Sequence, residues 1–96
     1  MLFYVYLIVS KNSIKPISYV GYSNNPIKRL LLHNTSGGAK FTKGKNWLLA
    51  YKKAYKSKSK ALKEEYSLKK DRKRRNKIKN EFIYKNPSLF NKSTQL

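Results

Sequence analysis

The chain has no cysteine and only four acidic side chains in 96 residues. Without cysteine there is no disulfide framework, no thiolate zinc site and no cysteine nucleophile. The absence fits a reducing compartment, and the expectation is an intracellular protein of the cytoplasm or nucleus. Glu64, Glu65, Asp71 and Glu81 are the whole supply of carboxylate side chains, so a two-metal site caged by several acids is hard to build. Long hydrophobic runs are also missing. The longest, at the N-terminus, is about eight residues, against the roughly 18 that a membrane span needs, so no membrane partner is expected. It lacks a preceding basic region and does not read as a signal peptide.

Positive charge is what the chain has in excess. Twenty-three Lys and Arg against four Asp and Glu give a formal net charge of +19. The first 39 residues hold only Lys11, Lys15, Lys28 and Arg29, and the other nineteen cations lie between Lys40 and Lys92. An A/T-rich genome would account for the number of lysines, but less well for their crowding into the second half. Such an excess implies a polyanionic partner, with nucleic acid ahead of an anionic membrane surface. The length makes one small domain, expected over residues 1–84, followed by a short polar tail over 85–96.

Phe3 to Val9 is a near-continuous aromatic and β-branched run, which suits a strand covered on both faces. Ser18 to Tyr22 reads as a second strand, with Ser10 to Pro16 as the hairpin loop. Alternation puts Tyr4, Tyr6 and Ile8 on one face of the first strand, and Ile17, Tyr19 and Gly21 on one face of the second. If those faces coincide, two phenols stand together; otherwise these are tyrosines filling a core, as strand tyrosines commonly do. Asn25 and Pro26 then start a helix running to about Asn34, with Ile27, Leu30 and Leu31 as its core stripe. Arg29 and His33, four apart, pair at the edge of that stripe.

Thr35 to Lys45 is a loop whose glycines and lysines suit close approach to phosphate, and which reads equally well as a plain Gly/Ser turn. Trp47 to Tyr55 is a third strand. Ser57 or Ser59 caps a second helix over Lys58 to Lys70, with Ala61, Leu62, Tyr66 and Leu68 on its inward arc. At about 100° per residue Glu65 falls inside that arc and Glu64 outside it. A carboxylate there is costly unless it is paired or holds a metal, and Arg29 or a nearby lysine would serve as the pair. The cluster Asp71 to Lys77 starts a third helix, which Ile78, Phe82 and Ile83 give apolar spacing; its cations face phosphate or simply water.

The ordered set Tyr4-Val5-Tyr6, Tyr19-Val20-Gly21, Arg29 through His33-Asn34, Gly37 through Thr42, and Ala61-Leu62 with Glu65-Tyr66 resembles the GIY-YIG endonuclease family. It is most similar to small members consisting of little more than the nuclease domain. The resemblance runs from about Phe3 to Lys70, and its specificity lies in the order and spacing of the elements rather than in any one motif. It implies an α+β fold, a three-stranded antiparallel sheet flanked by helices. It also implies a metal-dependent DNA endonuclease with a single divalent ion, Mg²⁺ or Mn²⁺. Tyr6, Tyr19, Arg29, His33 and Glu65 match the family's catalytic positions, Glu65 its metal ligand, and Gly21 and Asn34 its structural positions. Tyr4 replaces the glycine of the first triplet, and Val20 replaces an isoleucine.

The implied roles are chemical. Arg29 meets the scissile phosphate, Tyr6 acts as general base or positions the attacking water, and Tyr19 and His33 complete the hydrogen-bond network. Free tyrosine titrates near about 10, so the base role needs a metal or cation beside it. Lys40, Lys43 and Lys45, with Arg72, Arg74 and Arg75, are expected on backbone phosphates. The substrate is duplex or branched DNA, with RNA left open. A protein partner is one source of specificity, because no recognition domain or cysteine-based zinc module fits in this chain. Two rival readings explain the charge equally well: a GIY-YIG-fold nucleic-acid-binding protein that does not cut, and a basic structural protein of a ribonucleoprotein.

Overall fold

The computed structural model describes residues 1–11, 15–35 and 39–90. The tip of the expected hairpin loop, the paired glycines Gly37 and Gly38, and the final six residues of the expected tail lie outside them. The fold is α+β. Strand β1 (Phe3–Ser10) is the centre of a three-stranded antiparallel sheet, flanked by β2 (Ser18–Ser23) and β3 (Trp47–Tyr55) in the order β2-β1-β3. Helix α1 (Pro26–Asn34) covers one face, and α2 (Lys58–Lys70) and α3 (Arg72–Lys85) cover the other. This is why β1 reads as apolar on both sides: Val5, Leu7 and Val9 meet Val20, Ala61 and Leu68, while Tyr6 and Ile8 meet Trp47 on the α1 side.

Local signals set the element ends. The Asn25 side chain accepts from the Lys28 backbone N–H at 3.1 Å and Pro26 supplies the first helical turn. Ser57 and Asp71 cap α2 and α3 in the same way, through Lys60 and Arg74. Strand β3 slips register opposite Leu7 and Ile8, so that Tyr51 pairs with Leu7 and Leu49 with Ile8, leaving Ala50 as the extra residue. The bulge turns Leu49 and Trp47 onto the α1 face.

Two helix faces differ from the sequence expectation. In α1 only Leu30 of the expected stripe turns inward; Ile27 and Leu31 are 60% and 62% exposed, and Pro26 and His33 are the buried residues. Polar partners decide this rotation. His33 finds hydrogen bonds at both ring nitrogens, and Asn34 clamps the Trp47 backbone with two more. In α2 the inward line is Ala61 and Leu68, flanked by partly buried Glu64 and Glu65, whereas Leu62 and Tyr66 are exposed. The small Ala61, packed with Leu68 against Val5, Leu7 and Val20, turns the bulkier neighbours outward. Glu64 therefore lies at the edge of the arc rather than outside it.

At the C-terminal end α3 closes with Lys85, one residue past the expected domain boundary. The short turn Pro87–Leu89 then brings Phe90 edge-on against Phe82, 5.9 Å between ring centres. Among the described residues no helix is long and apolar enough to cross a membrane.

Candidate active site

Antiparallel pairing sets Tyr6 opposite Gly21 and Ile8 opposite Tyr19, so both phenols project from the α1 face of the sheet. The Tyr6 ring lies across β2 at Gly21. A β-carbon built there would collide with the phenol oxygen and the carbon that bears it. Glycine is needed at this position for close approach rather than for backbone freedom.

Tyr6 and His33 are each 1% exposed. The Tyr6 hydroxyl stands 2.8 Å from His33 Nε2, and His33 Nδ1 stands 2.9 Å from the Thr42 hydroxyl. The Thr42 hydroxyl also lies 2.8 Å from the Ala39 carbonyl. A carbonyl only accepts, so the one hydroxyl proton of Thr42 points at Ala39 and its oxygen accepts from His33. Nδ1 therefore carries the imidazole proton, and Nε2 accepts from Tyr6. Burial, aided by the Arg29 charge, lowers the pKa of His33 and keeps it neutral.

Arg29 lies one turn before His33, exposed at the rim, and its positive charge favours the ionised form of the Tyr6 hydroxyl. Burial outweighs that cation, and the Tyr6 phenol is pushed up to about 12. The cation beside Tyr6 is present, but on its own it does not make a phenolate. Tyr19 packs edge-on against His33 at 5.3 Å and stacks with Phe41 at 5.8 Å between ring centres.

Glu65 stands on α2, in the helical layer on the other face of the sheet. Its side chain is 18% exposed and pairs with Lys69, one turn on, at 3.3 Å. That is the lysine pairing weighed as one account of an inward carboxylate. Glu65 is also close enough for its charge to oppose ionisation of Tyr6, whereas Glu64 acts on Tyr55.

The expected phosphate-binding cations are distributed unevenly. Lys40, Lys43 and Arg72 are exposed. Arg74 is occupied with Tyr51, donating to its hydroxyl at 3.2 Å and lying over its ring. Arg75 instead joins Tyr19, Phe41 and Lys69 around a cleft of about 330 Å³, and the Lys45 ammonium sits 5.7 Å over the Phe41 ring. Asn34 donates to the Trp47 carbonyl and accepts from its N–H, tying α1 to β3. The Trp47 indole N–H donates to the Thr42 carbonyl at 3.0 Å, which holds the loop that carries Thr42 under His33. Thr42, Phe41 and Trp47 had no role assigned from sequence. A lone hydroxyl or ring in a loop has no periodicity to reveal what it touches.

A phenol and an imidazole joined by a hydrogen bond, with a guanidinium acting on the phenol, stand on a small sheet in a chain of strong positive charge. A family model described as the GIY-YIG catalytic domain matches residues 2–79, and the chain belongs to the GIY-YIG family. The family carries a nuclease-type role and a nucleic-acid substrate with it. A UPF0213 protein of Staphylococcus haemolyticus is 40% identical over 68 residues, 69% of this chain and 78% of that protein. A UPF0213 protein of Oceanobacillus iheyensis is 39% identical over 67 residues, 69% of this chain and 74% of that protein. The solution structure of a UPF0213 protein from Bacillus halodurans is 29% identical, with a TM-score of 0.49, and the match covers 83% of this chain and 84% of that one.

Proposed function

We propose that the chain is a metal-dependent endonuclease that hydrolyses phosphodiester bonds in DNA, acting in a reducing compartment, with Tyr6, Tyr19, Arg29, His33 and Glu65 as its active site. The directed hydrogen bond from Tyr6 to a neutral His33 supports this reading most strongly. A phenol held near about 12 is not a free phenolate at neutral pH. Tyr6 works instead as a relay. It takes a proton from the attacking water as it gives its own to His33 Nε2, leaving an imidazolium whose Nδ1–H stays on Thr42. Arg29, whose charge acts on Tyr6, is the guanidinium fork to hold the phosphate as negative charge builds. Tyr19 packs against the imidazole and limits its tilt.

Glu65 is the residue suited to a divalent ion. Among the described residues no three His, Cys, Asp or Glu side chains cluster, so the protein would contribute one carboxylate and leave the other positions to water and phosphate. Mg²⁺ accepts that arrangement, and Mn²⁺ fits equally. Lys69 is half exposed, so water can take the place of Glu65 as its partner. The ion would supply charge neutralisation at the phosphate and at the leaving oxygen.

The substrate is duplex or branched DNA, and RNA offers the same phosphodiester. Specificity comes from shape or from a protein partner. Incubating plasmid and branched DNA with and without Mg²⁺ tests the reading, with Tyr6→Phe as control. Metal-dependent products from the wild type alone support it. Tight binding without products under any divalent ion favours the non-cutting relative.

A further inference from the structure

The cleft beside Tyr19 adjoins the site described above, and its Phe41 and Arg75 have no part in that reaction. Ser18, Tyr19 and Val20 of the edge strand β2 form one wall, Phe41 another, and Lys69 and Arg75 the remainder. Phe41 is 54% exposed. Ile27, Leu31 and Tyr66 are as exposed, and what sets Phe41 apart is its place in a cleft with two cations at the edge of the sheet. It does not fill the core; it continues the aromatic layer outward, stacked on Tyr19 with ring planes 21° apart and leaning on Trp47 at 6.4 Å. Three cations surround the ring and cleft: Lys45 over its face, and Lys69 and Arg75 along the cleft. Arg75 Nε is shielded from solvent and has no hydrogen-bond partner among the described residues. The Arg75 guanidinium that this nitrogen belongs to lines the cleft and makes no hydrogen bond among the described residues.

We propose that this cleft is the seat of an unpaired nucleobase in a single-stranded stretch, stacked on Phe41. The proposal rests on the nuclease reading only in taking the strand to pass Tyr19. Charge complementarity selects a polyanion, and the exposed ring selects a polyanion with free flat faces. Bases inside a duplex have both faces covered by their neighbours, whereas an unpaired base offers a face to any aromatic side chain. The Lys45 ammonium is a hydrated, flexible tenant of the Phe41 face that moves to an adjacent phosphate when a base arrives. Arg75 supplies donors to a base carbonyl or a phosphate oxygen at the same place. A base seated here places its strand next to Tyr19, so the substrate carries an unpaired nucleotide beside the bond presented to the site.

Binding in EDTA isolates this claim from cleavage. Fluorescence anisotropy would compare a short labelled DNA strand, an RNA strand of the same sequence, and the blunt duplex of the same length. Phe41→Ala should weaken binding to the single strand about ten-fold, the order expected for one lost stacked base. The duplex should change by less than about two-fold, and Phe41→Trp should restore the loss. A Phe41-dependent loss on the DNA or the RNA strand identifies the ligand. Phe41 is exposed, so unfolding followed through Trp47 should be unchanged. Equal weakening on strand and duplex, or no weakening on either strand, overturns the proposal. No metal is present, so a chain unable to cut can pass this test and a cutting chain can fail it.

Discussion

The Tyr6 hydroxyl donates to His33 Nε2 across 2.8 Å, and both side chains are buried. The relay needs His33 neutral at the start, and its pKa is held below the ordinary 6.5 by burial and by Arg29. The acid limb of the cleavage rate at saturating DNA should therefore have its midpoint below about 6.5. Stability should follow the same group. The unfolded chain takes up a proton below about 6.5 while the folded chain resists, so stability is full above that pH and falls as pH drops toward the lower folded value. Tyr6 acts at the other end. Its folded value of about 12 against an ordinary 10.0 means that stability declines as pH rises from about 10 toward about 12. An acid limb centred above 6.5 would mean that the resting state is imidazolium and would remove the relay.

Thr42 fixes which nitrogen of His33 carries the proton. Thr42→Val keeps the shape and removes the acceptor, freeing the imidazole to adopt the other tautomer. Single-turnover cleavage should fall about 10- to 100-fold, on the scale seen when the outer partner of a functional histidine is lost. Thr42→Ser should restore most of the rate. A purely structural role predicts that valine lowers the melting temperature but leaves the rate of the folded protein unchanged.

Gly21 and Tyr6 should behave as one unit. Gly21→Ala forces the new methyl into the Tyr6 ring and should cost about 1–3 kcal/mol in urea unfolding, with loss of cleavage. In a Tyr6→Leu background the same glycine substitution should cost far less, a coupling that a double-mutant cycle measures directly. Additive costs would show that glycine is there for another reason.

Much of this arrangement was legible before any coordinates. The apolar density of β1 announced a strand covered on both faces, Asn25-Pro26 announced the start of α1, and period-2 alternation assigned Tyr6 and Tyr19 each to a strand face, which the β1–β2 pairing makes the same one. What failed was helix rotation. A stripe of Ile27, Leu30 and Leu31 is the best apolar arc in α1, yet His33 takes the interior because Tyr6 and Thr42 offer it partners there. Sequence patterns score burial by hydrophobicity and cannot see a polar partner supplied by another strand or loop. The same limit hid Thr42 and Phe41, whose neighbours are set by how the 39–47 loop folds back over β2.

Glu65 and Glu64 offer a sharper test, because both are partly buried and their charges act on different tyrosines. Glu65→Ala should abolish metal-dependent cleavage while binding and folding persist; Glu64→Ala, whose charge acts on Tyr55 rather than Tyr6, should cut nearly as well as wild type. Cleavage across an Mg²⁺ or Mn²⁺ titration for both variants decides it. An inactive Glu64 variant beside an active Glu65 variant would move the metal to the wrong side of α2 for this mechanism.

The arginines at the start of α3 should not contribute equally to binding. Arg75 lines the cleft with Lys69, whereas Arg74 is already engaged by the Tyr51 hydroxyl and ring. A phosphate contact by Arg74 would have to displace that pairing, and a contact by Arg75 displaces nothing among the described residues. Duplex or single-strand affinity should fall steeply with salt, log K against log salt losing about 0.7 to 0.9 per phosphate neutralised. Arg75→Ala should flatten that slope by roughly one such unit and weaken binding similarly on unrelated sequences, because phosphate contacts carry no base information. Arg74→Ala should change the slope by much less and should instead cost a little stability through the lost contact with Tyr51. Titrating each single variant at several salt concentrations on two unrelated sequences separates the two. Equal slopes for Arg74→Ala and Arg75→Ala would mean that the helix presents its whole basic end to the strand, and a loss confined to one sequence would show that a base edge is being read.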